Sequence, residues 1–118
     1  MKKRTSPELA PRLRVYRNSR QFFGPGKAEL LHYIAATGSI RVAAAEMDMS
    51  YQRAWNLVQQ MNELFTRPLV VVSRGGGDGG GARLTPTGSQ VLDLYTEMEQ
   101  ACHAATRQPW AALRALLR

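Results

Sequence analysis

Three helical patterns follow one another between Lys27 and Phe65 with almost no chain to spare between them, and no other stretch limits the possible folds so tightly. Lys27 to Thr37 carries Leu30, Leu31, Ile34 and Ala35 at helical spacing and stops at Gly38, a residue suited to the left-handed position after a helix. Ser39 then caps a short second helix predicted to run through Met47. Its Ala43, Ala44 and Ala45 let its backbone approach a neighbour closely. Only Asp48 and Met49 separate it from Ser50, the cap of a third pattern that lasts to Phe65. Helix, tight turn, helix is the geometry that offers the second member of the pair to a groove.

That third helix has two faces. Ala54, Leu57, Val58, Met61, Leu64 and Phe65 form an apolar stripe, while Gln52, Asn56, Gln59 and Glu63 gather opposite, with Arg53 and Gln60 on a flank. Solvated helix faces usually favour Lys and Glu. Gln, Asn and Arg near a helix start are the side chains that make bidentate hydrogen bonds to adenine and guanine edges in the major groove. An amide-rich face also serves as plain solvated surface, and it is the tight turn before it that favours a base-reading helix.

The charge supports an anionic partner. Sixteen Lys and Arg against nine Asp and Glu give a formal charge of +7 and a pI near 10.3, which points to nucleic acid ahead of a membrane surface. Met1 to Arg20 alone holds seven basic residues against one acidic, whereas Gln21 to Leu84 holds six against five. Specificity in the helix pair must therefore come from hydrogen bonds rather than bulk charge. At 118 residues the chain suits one domain with a modest core. The single cysteine, Cys102, cannot form an internal disulfide, no apolar run is long enough to cross a bilayer, and the basic N-terminus lacks a signal core. A soluble cytoplasmic protein with no membrane partner is expected.

On the N-terminal side, residues 1–11 read as a flexible basic arm, with Lys2, Lys3 and Arg4 placed to meet phosphates. Arg12 to Arg17 alternates as a half-buried strand, sending Leu13 and Val15 to one face. Phe22 and Phe23 lead as core aromatics into Gly24-Pro25-Gly26, a turn that opens the first helix. GPGK lacks the spacing and the following Ser or Thr of a nucleotide-binding loop.

On the C-terminal side, Leu69 to Val72, continued by Ser73 and Arg74, and the returning Ala82 to Thr85 read as a hairpin around a glycine-rich tip. Arg74 and Arg83 at its base are placed for phosphates or a minor groove. Thr85-Pro86 starts a long helix predicted to end near Thr106. Along it Val91, Tyr95, Met98, Cys102 and Ala105, joined by Leu94 and Ala101, recur at spacings of three and four. Such a stripe exceeds what a small domain needs and predicts packing against a second copy. Pro109 is predicted to open a last short segment bearing Trp110, Leu113, Leu116 and Leu117.

No catalytic constellation is visible. His32 and His103 stand in separate helices, and one Cys with two scattered His gives no metal-ligand spacing. There is no paired-carboxylate signature and no Gly-x-Ser-x-Gly nucleophile motif. Neither an enzyme nor a metal or cofactor site is expected.

The order FGPGKAELLHYIAATGSIRVAAAEMDMSYQRAWNLVQQMN, then PLV, SRGG, a glycine run and GARLTPTG, resembles the DNA-binding domain of ModE-type molybdate-responsive transcriptional regulators. These form a winged helix-turn-helix family akin to the DNA-binding domains of LysR-type regulators, and the resemblance covers roughly residues 13–106. It implies a mainly α fold with a small β-sheet, an N-terminal strand, a hairpin wing and a long C-terminal dimerisation helix. It also implies that Ser50, Tyr51, Gln52, Arg53 and Asn56 form the DNA-facing start of the recognition helix and that Trp55 packs inward. Asp48 departs from the family's usual Gly in the turn; Asp tolerates a left-handed backbone, so the turn is expected at small cost. The oxyanion-binding domains of the family lie beyond Arg118, so no direct molybdate binding is expected of this chain.

Together these readings predict an arm over residues 1–11, a winged helix-turn-helix over 12–85 and a dimerisation region over 86–118. The function expected is a transcriptional regulator that binds double-stranded DNA as a homodimer on a roughly palindromic operator. The alternative is an assembly module whose helices contact protein instead.

Overall fold

The computed structural model describes residues 6–74 and 81–118. It is a winged helix-turn-helix. Strands β1 (Val15–Arg17) and β2 (Arg20–Phe23) precede helices α1 (Pro25–Thr37), α2 (Ile40–Glu46) and α3 (Tyr51–Leu64). Strands β3 (Val70–Ser73) and β4 (Gly81–Leu84) and the long helix α4 (Pro86–Arg114) follow.

The small β-sheet predicted from sequence is two separate antiparallel hairpins. In the first, Arg17 pairs with Arg20 across Asn18 and Ser19, whose φ values of 52° and 66° give the left-handed pair that a tight hairpin turn requires. The strand expected over Arg12 to Arg17 is shorter than predicted, because β2 supplies only four residues before Gly24 and only Val15 to Arg17 find partners. Its alternation nonetheless places Leu13 and Val15 against the core.

Local chemistry sets the helix boundaries. Pro25 begins α1, and Gly38, at φ 71°, ends it with its N–H on the Ile34 carbonyl at 2.8 Å. The Ser39 hydroxyl accepts from the Val42 N–H and the Ser50 hydroxyl from the Arg53 N–H, each at 3.1 Å. Asp48 takes φ 53°, so the turn between α2 and α3 keeps the left-handed residue. Lys27 of the GPGK turn folds back and donates to the Phe22 carbonyl at 2.8 Å, which commits its ammonium to closing the turn.

The three helices enclose one core. Leu30, Leu31 and Ile34 of α1, Ala43 and Ala44 of α2, and Ala54, Val58 and Met61 of α3 are buried together with Phe23, Leu69, Val70, Ala82 and Tyr95. Burying each large aliphatic side chain contributes about 1.5–3 kcal/mol, so this cluster supplies most of what holds the helix pair in place. Asn62 then joins α3 to the second hairpin. Its Oδ1 accepts from the Leu69 and Val70 N–H groups at 2.8 and 3.1 Å, and its Nδ2 donates to the Val70 carbonyl at 3.0 Å. At the other strand, the Ala82 N–H donates to the Gly38 carbonyl at 2.9 Å. The second hairpin is thus hydrogen-bonded both to α3 and to the C-terminal cap of α1.

Helix α4 opens on Thr85, whose hydroxyl accepts from the Gly88 N–H at 2.9 Å and donates to the Pro68 carbonyl at 2.6 Å. The break predicted at Pro109 is absent: α4 continues through it to Arg114. An interior proline loses its own N–H and crowds the carbonyl one turn earlier, a cost of about 3 kcal/mol that α4 carries, since its fixed φ is helical and the pattern resumes without a new cap. At 1.5 Å per residue α4 extends about 43 Å, which accounts for the 56 Å long axis of the molecule.

Tyr95 of α4 is only 4% exposed. Its ring packs edge-on against Phe23 at 5.3 Å and its hydroxyl donates to the Leu13 carbonyl at 2.6 Å. Burial first, and Glu99 second, hold its phenol above the usual 10.0, against the opposing pull of Arg12 and Arg14. A raised folded pKa means that stability from this group is fully present below pH 10.0 and is lost as pH rises through the folded value. Burial lowers the Lys27 pKa, so that ammonium acts with the opposite sign in the same alkaline range. Denaturant unfolding of wild type and Tyr95→Phe across the alkaline range isolates the tyrosine. Tyr95→Phe is expected to cost about 1 kcal/mol at neutral pH and to show a shallower alkaline loss than wild type. Parallel alkaline slopes would contradict the assignment.

Candidate nucleic-acid interface

The α3 sequence buries its apolar stripe and thereby fixes what its other side presents. Ala54, Val58 and Met61 are buried and Leu57 and Trp55 are half-buried against the core, leaving Gln52, Arg53, Asn56 and Gln60 exposed. Ser50, Gln52, Arg53, Asn56, Leu57 and Gln60 line a shallow depression of about 430 Å³. Within it, Gln52 Nε2 donates to Asn56 Oδ1 at 3.0 Å, one helical turn apart. That bond aligns two amides on the exposed face, each capable of donating and accepting at a base edge.

Tyr51 is placed apart from these side chains. It lies on the flank of α3 that faces the wing, with its ring 6.4 Å from that of Trp55 and the Arg41 guanidinium 4.4 Å from its centroid. Arg41 sits in the first turn of α2 and carries no signal in the sequence, because its partner is reached only when the turn at Asp48 folds α2 against α3. Asn62 was missed for the same reason: its three bonds run to backbone that follows α3.

The expected anchoring residues fall into three groups. Lys2, Lys3 and Arg4 lie outside the described residues, as does the hairpin tip at 75–80. Arg74 is exposed and borders the space between the wing and α3. Arg83 is also exposed, but it pairs with Val71, whereas Val72 pairs with Ala82, so Arg83 stands on the other face of the hairpin from the α3 cleft. The two arginines of the wing base therefore do not act on one point.

The stripe predicted for a second copy divides. Leu94 and Met98 are 50% and 47% exposed, and Cys102 is half-buried. Val91 packs on its own core and Tyr95 is buried in it, so the structure removes Tyr95 from the partner-facing set. The sequence pattern counted both sides of α4 as one stripe, because an edge that packs inward and an edge that faces solvent lie only a fraction of a turn apart. Among the described residues no group of three or more His, Cys, Asp or Glu is placed to hold a metal ion, and no helix is long and apolar enough to cross a membrane.

The helix-turn-helix pattern of the bacterial regulatory helix-turn-helix proteins of the LysR family matches residues 26–89, which run from α1 to the first turn of α4. The chain belongs to that family. It is 45% identical over 76 residues to the molybdenum-pterin-binding protein MopB of Rhodobacter capsulatus, a match covering 64% of this chain and 28% of that protein. It is 39% identical over 79 residues to the DNA-binding transcriptional dual regulator ModE of Escherichia coli K12, covering 67% of this chain and 30% of that one. With the molybdenum transport protein ModE of Herbaspirillum seropedicae it shares 37% identity over 86 residues, 73% of this chain and 30% of that one. The chain therefore spans less than a third of the length of these relatives.

Proposed function

We propose that the chain binds double-stranded DNA sequence-specifically as a homodimeric transcriptional regulator, with α3 in the major groove. The observation that carries this reading is the Ser50-capped start of α3, where Gln52, Arg53 and Asn56 share the exposed face immediately after the tight turn. Likeness to a DNA-binding transcriptional regulator over two thirds of the chain supports it. Binding and release, rather than bond chemistry, is the activity assigned.

In this reading the α3 amides and Arg53 read base edges, while Lys2, Lys3, Arg4, Arg74 and Arg83 neutralise phosphates. Leu94 and Met98 pack against the same residues of a second copy, with Cys102 at the margin. A two-fold dimer presents its two α3 helices to successive major grooves about 34 Å apart, which calls for an inverted repeat. Selection of bound sequences from a random duplex pool tests this. An enriched inverted repeat with half-sites one helical turn apart is expected. A pool without enrichment would favour a protein-binding role for the same face.

A further inference from the structure

Apart from α4 and the residues after it, four large hydrophobic side chains stand well exposed among the described residues, and three of them converge on one place. Val42, Tyr51 and Val72, at 46%, 40% and 52% exposure, line a cleft of about 650 Å³ between α2, the start of α3 and the wing. Half-buried Trp55 adds to its apolar surface. Arg41 and Arg74 stand on its walls, Ser39 and Ser73 add hydroxyls, and among the described residues no acidic side chain lines it. Neither base reading by α3 nor packing of the core accounts for this cleft.

The lining alternates apolar surface with fixed positive charge. A free phosphate would leave the valines and rings unused, and an apolar protein surface would have to cover two guanidiniums without carboxylate partners, which desolvation opposes. A sugar-phosphate strand matches both features, since deoxyribose presents carbon and its linkages present anions. Arg41 is also held ready: stacked 4.4 Å above the Tyr51 ring, it has given up part of its rotamer freedom before a ligand arrives.

We propose that this cleft is a clamp for one strand of the duplex. Arg41, positioned by Tyr51, contacts a phosphate, and Val42, Tyr51 and Val72 pack against deoxyribose carbons. The proposal rests on α3 reading the major groove, because a strand bordering that groove passes between α3 and the wing. It gives Tyr51 a role in backbone contact and adds Arg41, Val42 and Val72 to the interface.

The test uses the full chain and a duplex carrying its preferred sequence, with single neutral methylphosphonate linkages walked along each strand. Wild type should lose affinity at several linkages. Arg41→Gln should bind the unmodified duplex about threefold to tenfold more weakly, with a salt slope flatter by about one, and should become insensitive to one linkage that matters to wild type. Tyr51→Leu should show a smaller loss and keep that sensitivity. Val72→Glu should weaken preferred and random duplexes alike by on the order of tenfold through like-charge repulsion. These side chains are exposed, and circular dichroism will show that the variants remain folded. If Arg41→Gln and Val72→Glu bind as wild type while Asn56→Ala loses sequence preference, the clamp is overturned and the reader stands. If wild type binds no duplex at low salt, both fall together.

Discussion

Gly88→Ala, at a buried position in the first turn of α4, is expected to destabilise the domain by about 3 kcal/mol, more than alanine at any exposed position of that helix. A β-carbon at this position would collide with the Leu69 carbonyl oxygen and lie 2.9 Å from its carbon. Both are backbone atoms that no rotamer change can move. Leu69 is itself pinned by Asn62 and its carbonyl accepts the Thr85 N–H at 2.9 Å, so relief requires α4 to lift from the wing base. That movement would weaken the Thr85 cap, which rests on the Gly88 N–H. Gly26→Ala provides the comparison: nothing lies within 4 Å of its added carbon, and it is expected to stabilise α1 by up to about 1 kcal/mol. Equilibrium urea unfolding of the two variants measures the contrast. A Gly88→Ala protein within about 0.5 kcal/mol of wild type would show that the contact between α4 and the wing base is loose.

The double substitution Leu94→Glu with Met98→Glu is expected to convert a dimer into folded monomers. Both side chains are about half exposed, so charge there should be tolerated within one chain and rejected between two apolar faces. Loss of the second half-site should reduce affinity for an inverted repeat by about 10²-fold or more, because linked binding events multiply. Sedimentation velocity at micromolar concentration reports the first effect and DNA titration the second. Tyr95→Glu should behave differently, unfolding the chain, since its carboxylate would replace a buried phenol against Phe23. A wild-type protein that sediments as a monomer at that concentration would remove the dimer from the account.

The features legible in the sequence were those fixed by neighbours in the chain. Gly38, Ser39, Ser50 and Thr85 terminate or cap helices through their own backbone freedom or hydroxyls, and each sits where the pattern placed it. The left-handed turn at Asp48 and the hairpin on either side of the glycine run are of the same kind. Contacts between distant segments were not legible. The β1–β2 hairpin went unseen because Asn18-Ser19 is a weak turn signal: serine seldom adopts the positive φ found here. Tyr95 was counted with the outward stripe because its partners, Phe23 and the Leu13 carbonyl, lie more than seventy residues away. Pro109 reads locally as a boundary, yet α4 continues through it despite the lost donor and the crowding of the preceding turn.

The candidate site divides in the same way. The amides and Arg53 on α3 follow from one helical period, so their common exposed face could be drawn before any coordinates. The cleft beside them depends on α2, α3 and β3 arriving together, and Arg41 looks like any surface arginine until Tyr51 is found beneath it. Asn62 shows the same limit, since a polar residue near the end of a helix gives no hint that it closes three hydrogen bonds to the wing.

The central claim is that α3 supplies sequence preference while the basic residues elsewhere supply affinity. Fluorescence anisotropy over a salt series, on the preferred duplex and on random DNA, measures both quantities for each variant. Replacing Lys2, Lys3, Arg4, Arg74 and Arg83 should weaken both duplexes alike and flatten the log-log salt slope by roughly one per lost contact. Asn56→Ala, Gln52→Ala or Arg53→Ala, where the residue makes a bidentate base contact, should cost about 1–3 kcal/mol on the preferred duplex and little on random DNA. Loss of sequence preference in the basic-residue variant, with preference intact in all three α3 variants, would contradict the account.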